Sequence, residues 1–216
     1  MEFRIINMTV HEAVLKLLEV AVVKAINDCQ VDMESFLNNI GFGSLYGLNI
    51  GDLHSRLNHF LLKSFDCDSF CMKLNHRSIM VDSKRVHDMF GIPVGGTPLL
   101  SLEETEGDVL TNWLAQFDLD PKKIRVTNIA ELIVKATNID FMLKMNFLLL
   151  VTNTLAKNET KNGDVSLDVL KRIREDFLVQ SIDWCGYILD SHKNSTNSKG
   201  VDHFYNGPVF FLRVVL

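Results

Sequence analysis

Apolar residues recur at helical spacing through most of the 216-residue chain. This pattern predicts a mainly α protein, a compact helical domain. Thr9 and Glu12 form a capping box at the start of the first predicted helix, which ends at Asn27. Further helices are predicted over these ranges: 33–40, 53–61, 84–90, 106–117, 128–136, 138–156, 166–177, 180–191 and 208–216.

The predicted helix over 138–156 is apolar nearly all round, which is typical of a helix at the centre of a core. Asp140 and Lys144, four residues apart, are expected to mark its one solvated edge. In the later helix over 180–191, Ile182 and three further apolar positions are expected to face inward. Those three positions are Cys185, Ile188 and Leu189.

One small β-hairpin is predicted near residues 69–81, where the apolar period changes from helical spacing to alternation. Its apolar positions are Phe70, Met72, Leu74, Ile79 and Val81, with a polar turn at 75–77. The hairpin is the only clear strand signal in the chain. Asp82 or Ser83 then caps the next helix.

The stretch HDMFGIPVGGTP, residues 87–98, has the glycine content of a phosphate loop, but its order is reversed. Phosphate loops place glycine amides before a helix, at the positive end of its dipole. Here the helix comes first, so the glycines meet its carbonyl end. We therefore predict a structural turn and no nucleotide site: Gly91 ends the helix, Pro93 stops its continuation, and Gly95 and Gly96 turn the chain.

Composition is that of an ordinary globular chain, with 47% hydrophobic and 23% charged residues. A net charge of −5 makes nucleic acid an unlikely main partner, because binding phosphates usually needs a basic face. Lys16, Glu19 and Lys24 interrupt the apolar amino-terminal helix, which argues against a membrane span and a secretory signal. The expected location is intracellular, in nucleus or cytoplasm, with mitochondrial association left open.

The cysteines are Cys29, Cys67, Cys71 and Cys185, and all are expected to be reduced thiols that pack as small hydrophobes. Cys67 and Cys71 lie near His54, His59 and His76 in the sequence, and cysteine and histidine are the usual ligands of zinc. The second, regularly spaced ligand pair of a structural zinc site is missing. No local signature marks a cysteine nucleophile either. We therefore predict that the protein is not an enzyme and has no catalytic residues, metal or cofactor.

We expect one domain over 1–216, with no linker that divides it. A first part, 1–98, carries the hairpin, and a helical second part, 106–216, shares one core with it. The last element, GPVFFLRVVL, offers a candidate interaction surface formed by Phe210, Phe211, Val214 and Val215. The alternative is that this helix packs into the core of its own chain.

Several motifs in order resemble the plant mobile domain-like family of transposon-derived plant proteins, often labelled aminotransferase-like. They are NNIGFGSLYGL, HDMFGIPVGG, KMNFLLLVTNTLA, IDWCGYILDS and GPVFFLRVVL. The resemblance covers about residues 30 to 216 and implies ancestry and architecture. It assigns no catalytic residue, and nothing marks the Schiff-base lysine or phosphate cup of a pyridoxal phosphate enzyme. Asp183 stands where that family often has asparagine. No SUMO-protease-like peptidase domain follows, so protease activity is not expected.

The function expected from the sequence is a non-enzymatic protein–protein interaction module derived from a transposable element. Its partner is expected to be another protein, with a related copy or self-association as the nearest cases. Two alternatives stay open. One is a toxin or antidote type of fertility or selfish factor, such as one in hybrid sterility, that acts by protein binding. The other is a nuclear nucleic-acid or chromatin-associated protein. No membrane or small-molecule substrate is expected.

Overall fold

The computed structural model describes residues 21–47, 60–61, 63–66, 68–104, 107–156 and 165–196. Some sequence predictions lie outside these residues: the capping box at Thr9 and Glu12, most of the helix over 53–61 and the last element, 207–216. The polar, turn-rich stretch 157–164, which predicts a surface loop, lies outside them as well.

Helices make up most of the described chain, which confirms the mainly α class. Residues 21–27 are helical. The helices that follow are α1 Met33–Asn39, α2 Ser83–Phe90, α3 Asp108–Leu114, α4 Val126–Lys135, α5 Phe141–Leu155 and α6 Trp184–Thr196. Short 3₁₀ turns lie at Gly43–Leu45, Leu99–Ser101, Pro121–Lys123 and Val179–Ser181. Within the described residues, no helix combines the length and apolarity needed to cross a bilayer.

The predicted hairpin is present as β2 Cys71–Leu74 and β3 Arg77–Met80, joined antiparallel. A third strand, β1 Phe65–Asp66, pairs antiparallel with β2 and gives the order β1-β2-β3. Two residues are too few to produce an alternating pattern, so the sequence did not predict β1.

Helix α5 lies at the centre of the core, as its apolar composition predicts. Twelve of its fifteen residues are buried, so it has hardly any exposed face. Asp140 is exposed and Lys144 is partly exposed, so both lie at the solvated start of α5, as expected. The Asp140 carboxylate also caps the helix by accepting the Leu143 N–H at 2.8 Å. Lys144 Nζ lies 5.8 Å from the centroid of the Phe141 ring.

Buried polar side chains on α5 are satisfied by hydrogen bonds. Thr152 and Thr154 donate their hydroxyls to carbonyls one turn earlier, both at 2.7 Å. Asn146 accepts the indole N–H of Trp113 at 2.7 Å and donates to Gln116 at 2.9 Å. An unsatisfied buried polar group costs about 1–3 kcal/mol, so these bonds allow an almost fully buried helix to carry polar residues.

Aromatic contacts join the first part of the chain to the second. The Phe42 ring lies 5.8 Å from the Phe147 ring on α5 and 5.7 Å from the Trp184 ring on α6, both edge to face. Phe36 on α1 also meets Phe147 at 5.7 Å. Buried residues from both parts belong to one hydrophobic cluster.

The prediction of a helix over 166–177 was wrong, because this segment forms a series of turns. Val169, Leu170 and Ile173 are buried in it, which accounts for the helix-like apolar pattern. Its start is fixed by a contact that the local sequence cannot show. The Asn153 side chain on α5 accepts the Ser166 N–H at 2.6 Å and donates to the Ser166 carbonyl at 3.1 Å.

The bounds of several other helices differ from prediction. Helix α3 is shorter than the predicted 106–117, α4 begins at Val126 instead of residue 128, and α5 begins at Phe141 instead of residue 138. The helix predicted over 180–191 begins at Trp184 and continues to Thr196. The polar stretch 193–207, whose composition predicts a loop, is therefore helical at its start. The four residues of the predicted helix over 180–191 that were expected to face inward are all buried.

Candidate interaction site at the glycine-rich seam

Helix α2 leads directly into the glycine-rich stretch. The Asp82 carboxylate caps its start by accepting the Arg85 N–H at 2.7 Å, and Val86 and Phe90 bury its inner face. The helical spacing predicts Met89 as a third buried position on this face, but Met89 is only partly buried. The helix ends at Gly91, which has a left-handed backbone with φ of 60°.

Residues 91–97 run beside residues 181–185, and we call this contact the glycine seam. It contains a parallel bridge between Thr97 and Ile182. Three backbone hydrogen bonds span it: Thr97 N–H to Ser181 O at 2.9 Å, Asp183 N–H to Thr97 O at 3.0 Å, and Cys185 N–H to Pro93 O at 3.1 Å. The glycine stretch thus joins two distant parts of the chain through its own backbone.

The Asp183 carboxylate links both sides of the seam. Its Oδ1 accepts the Gly95 N–H at 3.1 Å and the Gly186 N–H at 2.9 Å. The second bond caps the first turn of α6 and explains why this helix begins at Trp184. An asparagine at this position carries the same acceptor oxygen, so the departure from the plant mobile domain-like pattern leaves the capping chemistry in place.

Two glycines of the seam lack room for a side chain. A Cβ on Gly96 would overlap the Ser181 carbonyl oxygen and lie 3.0 Å from its carbon, and φ there is 86°. A Cβ on Gly91 would overlap the Ser44 hydroxyl. Gly95 also has a positive φ, 74°, but an added Cβ would meet nothing within 4 Å. Gly95 is therefore required for its backbone conformation, and Gly96 for close approach as well.

A third loop reaches the seam at Gly41. A Cβ added there would lie 3.0 Å from Pro93 Cγ and 3.2 Å from Gln180 Cβ. Loops 41–47, 91–97 and 178–183 therefore converge, and each carries one large apolar side chain that is substantially exposed. These are Tyr46 at 46%, Val94 at 42% and Leu178 at 64%, which we call the three-loop surface.

The cysteine and histidine beside the seam have structural roles. Burial raises the pKa of the Cys185 thiol to about 12, so it stays protonated and is a poor nucleophile. It donates to the Ile92 carbonyl at 3.4 Å. His87 Nδ1 lies 2.7 Å from the same oxygen. Trp184 is buried and donates its indole N–H to the Val179 carbonyl at 2.8 Å. In the Asp183–Cys185 motif, Trp184 and Cys185 therefore pack in the core, and Asp183 caps the start of helix α6.

Two buried groups farther along α6 are also held in uncharged forms. Burial lowers the pKa of His192 to about 3, and in the neutral ring Nε2–H donates to the Leu155 carbonyl at 2.7 Å. Burial raises the pKa of the Tyr187 hydroxyl, which lies 3.1 Å from Asp168 Oδ2. Neither group changes its charge near neutral pH, so neither is suited to proton transfer.

Among the described residues, no group of three or more His, Cys, Asp or Glu side chains could hold a metal ion. Cys71 is buried and its thiol lies 3.3 Å from the Ser69 carbonyl. His54, His59 and Cys67 lie outside the described residues. That the protein needs no metal stays a prediction.

The chain has two short basic clusters, at 122–125 and 171–174, and both contact their own chain. Arg172 Nη2 lies 2.5 Å from Glu104 Oε1, and Lys171 Nζ lies 3.8 Å from Glu104 Oε2. The Arg125 guanidinium donates to the Lys122 carbonyl at 2.8 Å. The contacts with Glu104 reduce the charge that the cluster at 171–174 offers to a nucleic acid.

The predicted surface at Phe210, Phe211, Val214 and Val215 lies outside the described residues. Sequence reasoning did not identify the three-loop surface. A weak signal was present in Val94, which lies between Pro93 and a pair of glycines, where an apolar side chain has no regular element to bury it. Tyr46 and Leu178 carry no such signal, because their exposure depends on how distant loops meet.

Comparison with known proteins gives a family without an assigned activity. The family model described as "Domain of unknown function (DUF8566)" matches residues 20–213. No curated protein and no solved structure matches the chain. The resemblance to the plant mobile domain-like family stays a prediction beside this match. Since this family model matches most of the sequence, the chain belongs to the DUF8566 family of domains of unknown function.

Proposed function

We propose that this domain is a non-enzymatic protein–protein interaction module that binds through its three-loop surface. The partner we expect first is another copy of the same fold. The observation that carries the proposal is the convergence of three loops, each with one exposed apolar side chain: Tyr46, Val94 and Leu178. Binding residues are often carried on loops that a rigid scaffold positions.

The glycine seam supplies that rigidity for two of the three loops. Its three backbone hydrogen bonds and the bond from the Gly95 N–H to Asp183 fix loop 91–97 against residues 181–185. A loop that is already ordered loses little conformational entropy when a partner binds, so more of the contact energy is available for affinity. An ordered seam of this kind therefore favours a preformed binding surface over a loop that closes on a small ligand.

Two buried groups, Cys185 beside the seam and His192 farther along α6, support the non-enzymatic part of the proposal. Cys185 stays a thiol and His192 stays neutral near pH 7, since burial shifts the pKa of each away from neutrality. Catalytic groups usually have pKa values near the working pH.

The expected affinity is modest. Full burial of one large apolar side chain contributes roughly 1.5–3 kcal/mol, and these three are already about half-buried. Two copies together contribute six such side chains, which gives about 4.5–9 kcal/mol, and association costs at least about 4 kcal/mol in lost freedom. A dimer that relies on this surface should therefore bind no more tightly than about 0.2 mM, in the high micromolar to millimolar range.

Sedimentation velocity between about 10 μM and 1 mM tests this expectation, because that range reaches the predicted constant. We expect a reversible monomer–dimer equilibrium that Leu178→Ser weakens about tenfold. Ile139→Ser is the matched control, since Ile139 is 53% exposed between α4 and α5 and takes no part in the seam. A monomer at every concentration, or equal weakening by both substitutions, would contradict the proposal.

A further inference from the structure

Strand β3 forms one edge of the three-stranded sheet. Its register with β2 pairs Cys71 with Met80 and Lys73 with Ser78. The same register places Phe70 opposite Val81, and the Val81 N–H donates to the Phe70 carbonyl at 3.0 Å. Opposed residues in an antiparallel pair alternate between bonded and non-bonded pairs. The alternation from Val81 therefore makes Ser78 and Met80 the non-bonded positions of β3.

At non-bonded positions, the backbone N–H and C=O point away from the neighbouring strand. In β3 these groups belong to Ser78 and Met80, and they point to the outer edge of the sheet. Both side chains are exposed, that of Met80 by 64%. No other described strand pairs with this side of β3. Edge strands are often protected by a proline, a bulge or a central lysine, and the stretch 78–80 contains none of these.

The charge near this edge differs from that of the whole chain. Arg77 begins the strand, and Arg85 lies within one turn of helix α2 after it; both are exposed. Lys84, also in that turn, is held by Asp88 at 2.7 Å. Asp82, between the two arginines in the chain, is exposed as well. Over residues 77–88 the three basic side chains still outnumber the two acidic ones, Asp82 and Asp88, whereas the whole chain carries a net charge of −5.

The opposite edge of the sheet is strand β1, which is only two residues long. Its one charged residue, Asp66, already forms an ion pair with Lys73 of the neighbouring strand β2. The hydrogen bond from Lys73 lowers the pKa of Asp66 to about 2. The available backbone groups and the basic charge therefore coincide at β3.

We propose that the β3 edge binds an extended acidic segment of a partner protein as a fourth strand of the sheet. Backbone groups of Ser78 and Met80 form the ladder, an apolar residue of the segment covers the Met80 side chain, and acidic residues lie towards Arg77 and Arg85. Added strands of this kind obtain affinity from the main chain and specificity from alternate side chains.

This site is separate from the three-loop surface, and the test uses a defined probe. The probe is a fluorescent, acetylated octapeptide of alternating glutamate and valine, measured by anisotropy. We expect it to bind about tenfold more tightly than the matching lysine–valine peptide. N-methylation of its edge-facing amides should cost another tenfold or so, because it removes ladder donors. On binding, the Ser78 and Met80 amides should become protected from hydrogen exchange.

Ser78→Pro provides the matched variant, because it removes an outward donor without breaking a bond to β2. We expect this variant to bind the glutamate–valine peptide at least about tenfold more weakly, and Ser78→Ala to bind it with unchanged affinity. Met80→Glu should also weaken binding and does not depend on a proline fitting the strand. Leu178→Ser should leave peptide affinity unchanged, so failure of this site and failure of the three-loop surface are distinguishable.

Three outcomes would overturn the inference. The first is equal affinity for the glutamate and lysine peptides, and the second is unchanged affinity in both Ser78→Pro and Met80→Glu. The third is protection of the Ser78 and Met80 amides in the protein alone, since the edge would then already be covered by this chain or by another copy of it.

Discussion

Substitution Gly96→Ala is expected to lower the free energy of unfolding by about 3 kcal/mol. A left-handed backbone costs a non-glycine residue roughly 1–2 kcal/mol. Overlap of the new Cβ with the Ser181 carbonyl adds a further 1–3 kcal/mol or so, because the Thr97–Ser181 hydrogen bond holds that oxygen in place. Urea denaturation followed by circular dichroism measures the change.

Gly95→Ala is the control for this prediction. Gly95 has a similar φ, 74°, but open space where the Cβ would lie. We expect it to cost about 1 kcal/mol, from the backbone conformation alone. Equal losses for Gly95→Ala and Gly96→Ala would mean that loop 91–97 does not lie against Ser181 as described.

The second large effect is a pH dependence that comes from His192. Burial lowers its folded pKa to about 3, against an ordinary value of 6.5. The unfolded chain therefore takes up a proton below pH 6.5 that the folded chain does not. The stabilisation is complete above pH 6.5 and is lost as the pH falls towards 3, at about 1.4 kcal/mol per pH unit. Titration of this group should therefore lower the free energy of unfolding by about 2 kcal/mol between pH 7 and pH 5.

His192→Gln isolates that contribution, because glutamine can donate to the Leu155 carbonyl but does not titrate. The difference in unfolding free energy between the wild type and this variant should shift by about 2 kcal/mol from pH 7 to pH 5. His76→Gln serves as the comparison, since His76 is exposed in the turn between β2 and β3. A difference that stays constant with pH for His192→Gln would show that His192 is not buried as a neutral group.

The sequence predicted those elements whose signals are local. Alternation identified the hairpin, and an apolar run of fifteen or so residues identified α5 as central. The end of α2 followed from Gly91 and Pro93, because left-handed caps and proline stops are properties of the residues themselves. These features depend little on what the rest of the chain does.

The features that sequence could not show depend on distant contacts. Asn153 holds Ser166 and replaces the helix predicted over 166–177 with turns. The start of α6 depends partly on Asp183, whose second bond goes to Gly95, 88 residues earlier. The three-loop surface depends on the same seam, so its exposed residues could not be chosen before the loops were placed.

The central claim is that the glycine stretch is a structural joint that fixes the loops of a binding surface. Native-state hydrogen exchange of the Thr97, Asp183 and Cys185 amides tests it most directly, because these three N–H groups span the seam. We predict that they open with free energies comparable to those of the buried turns of α5, close to global unfolding. Exchange as rapid as that of an exposed loop, while α5 stays protected, would contradict the claim.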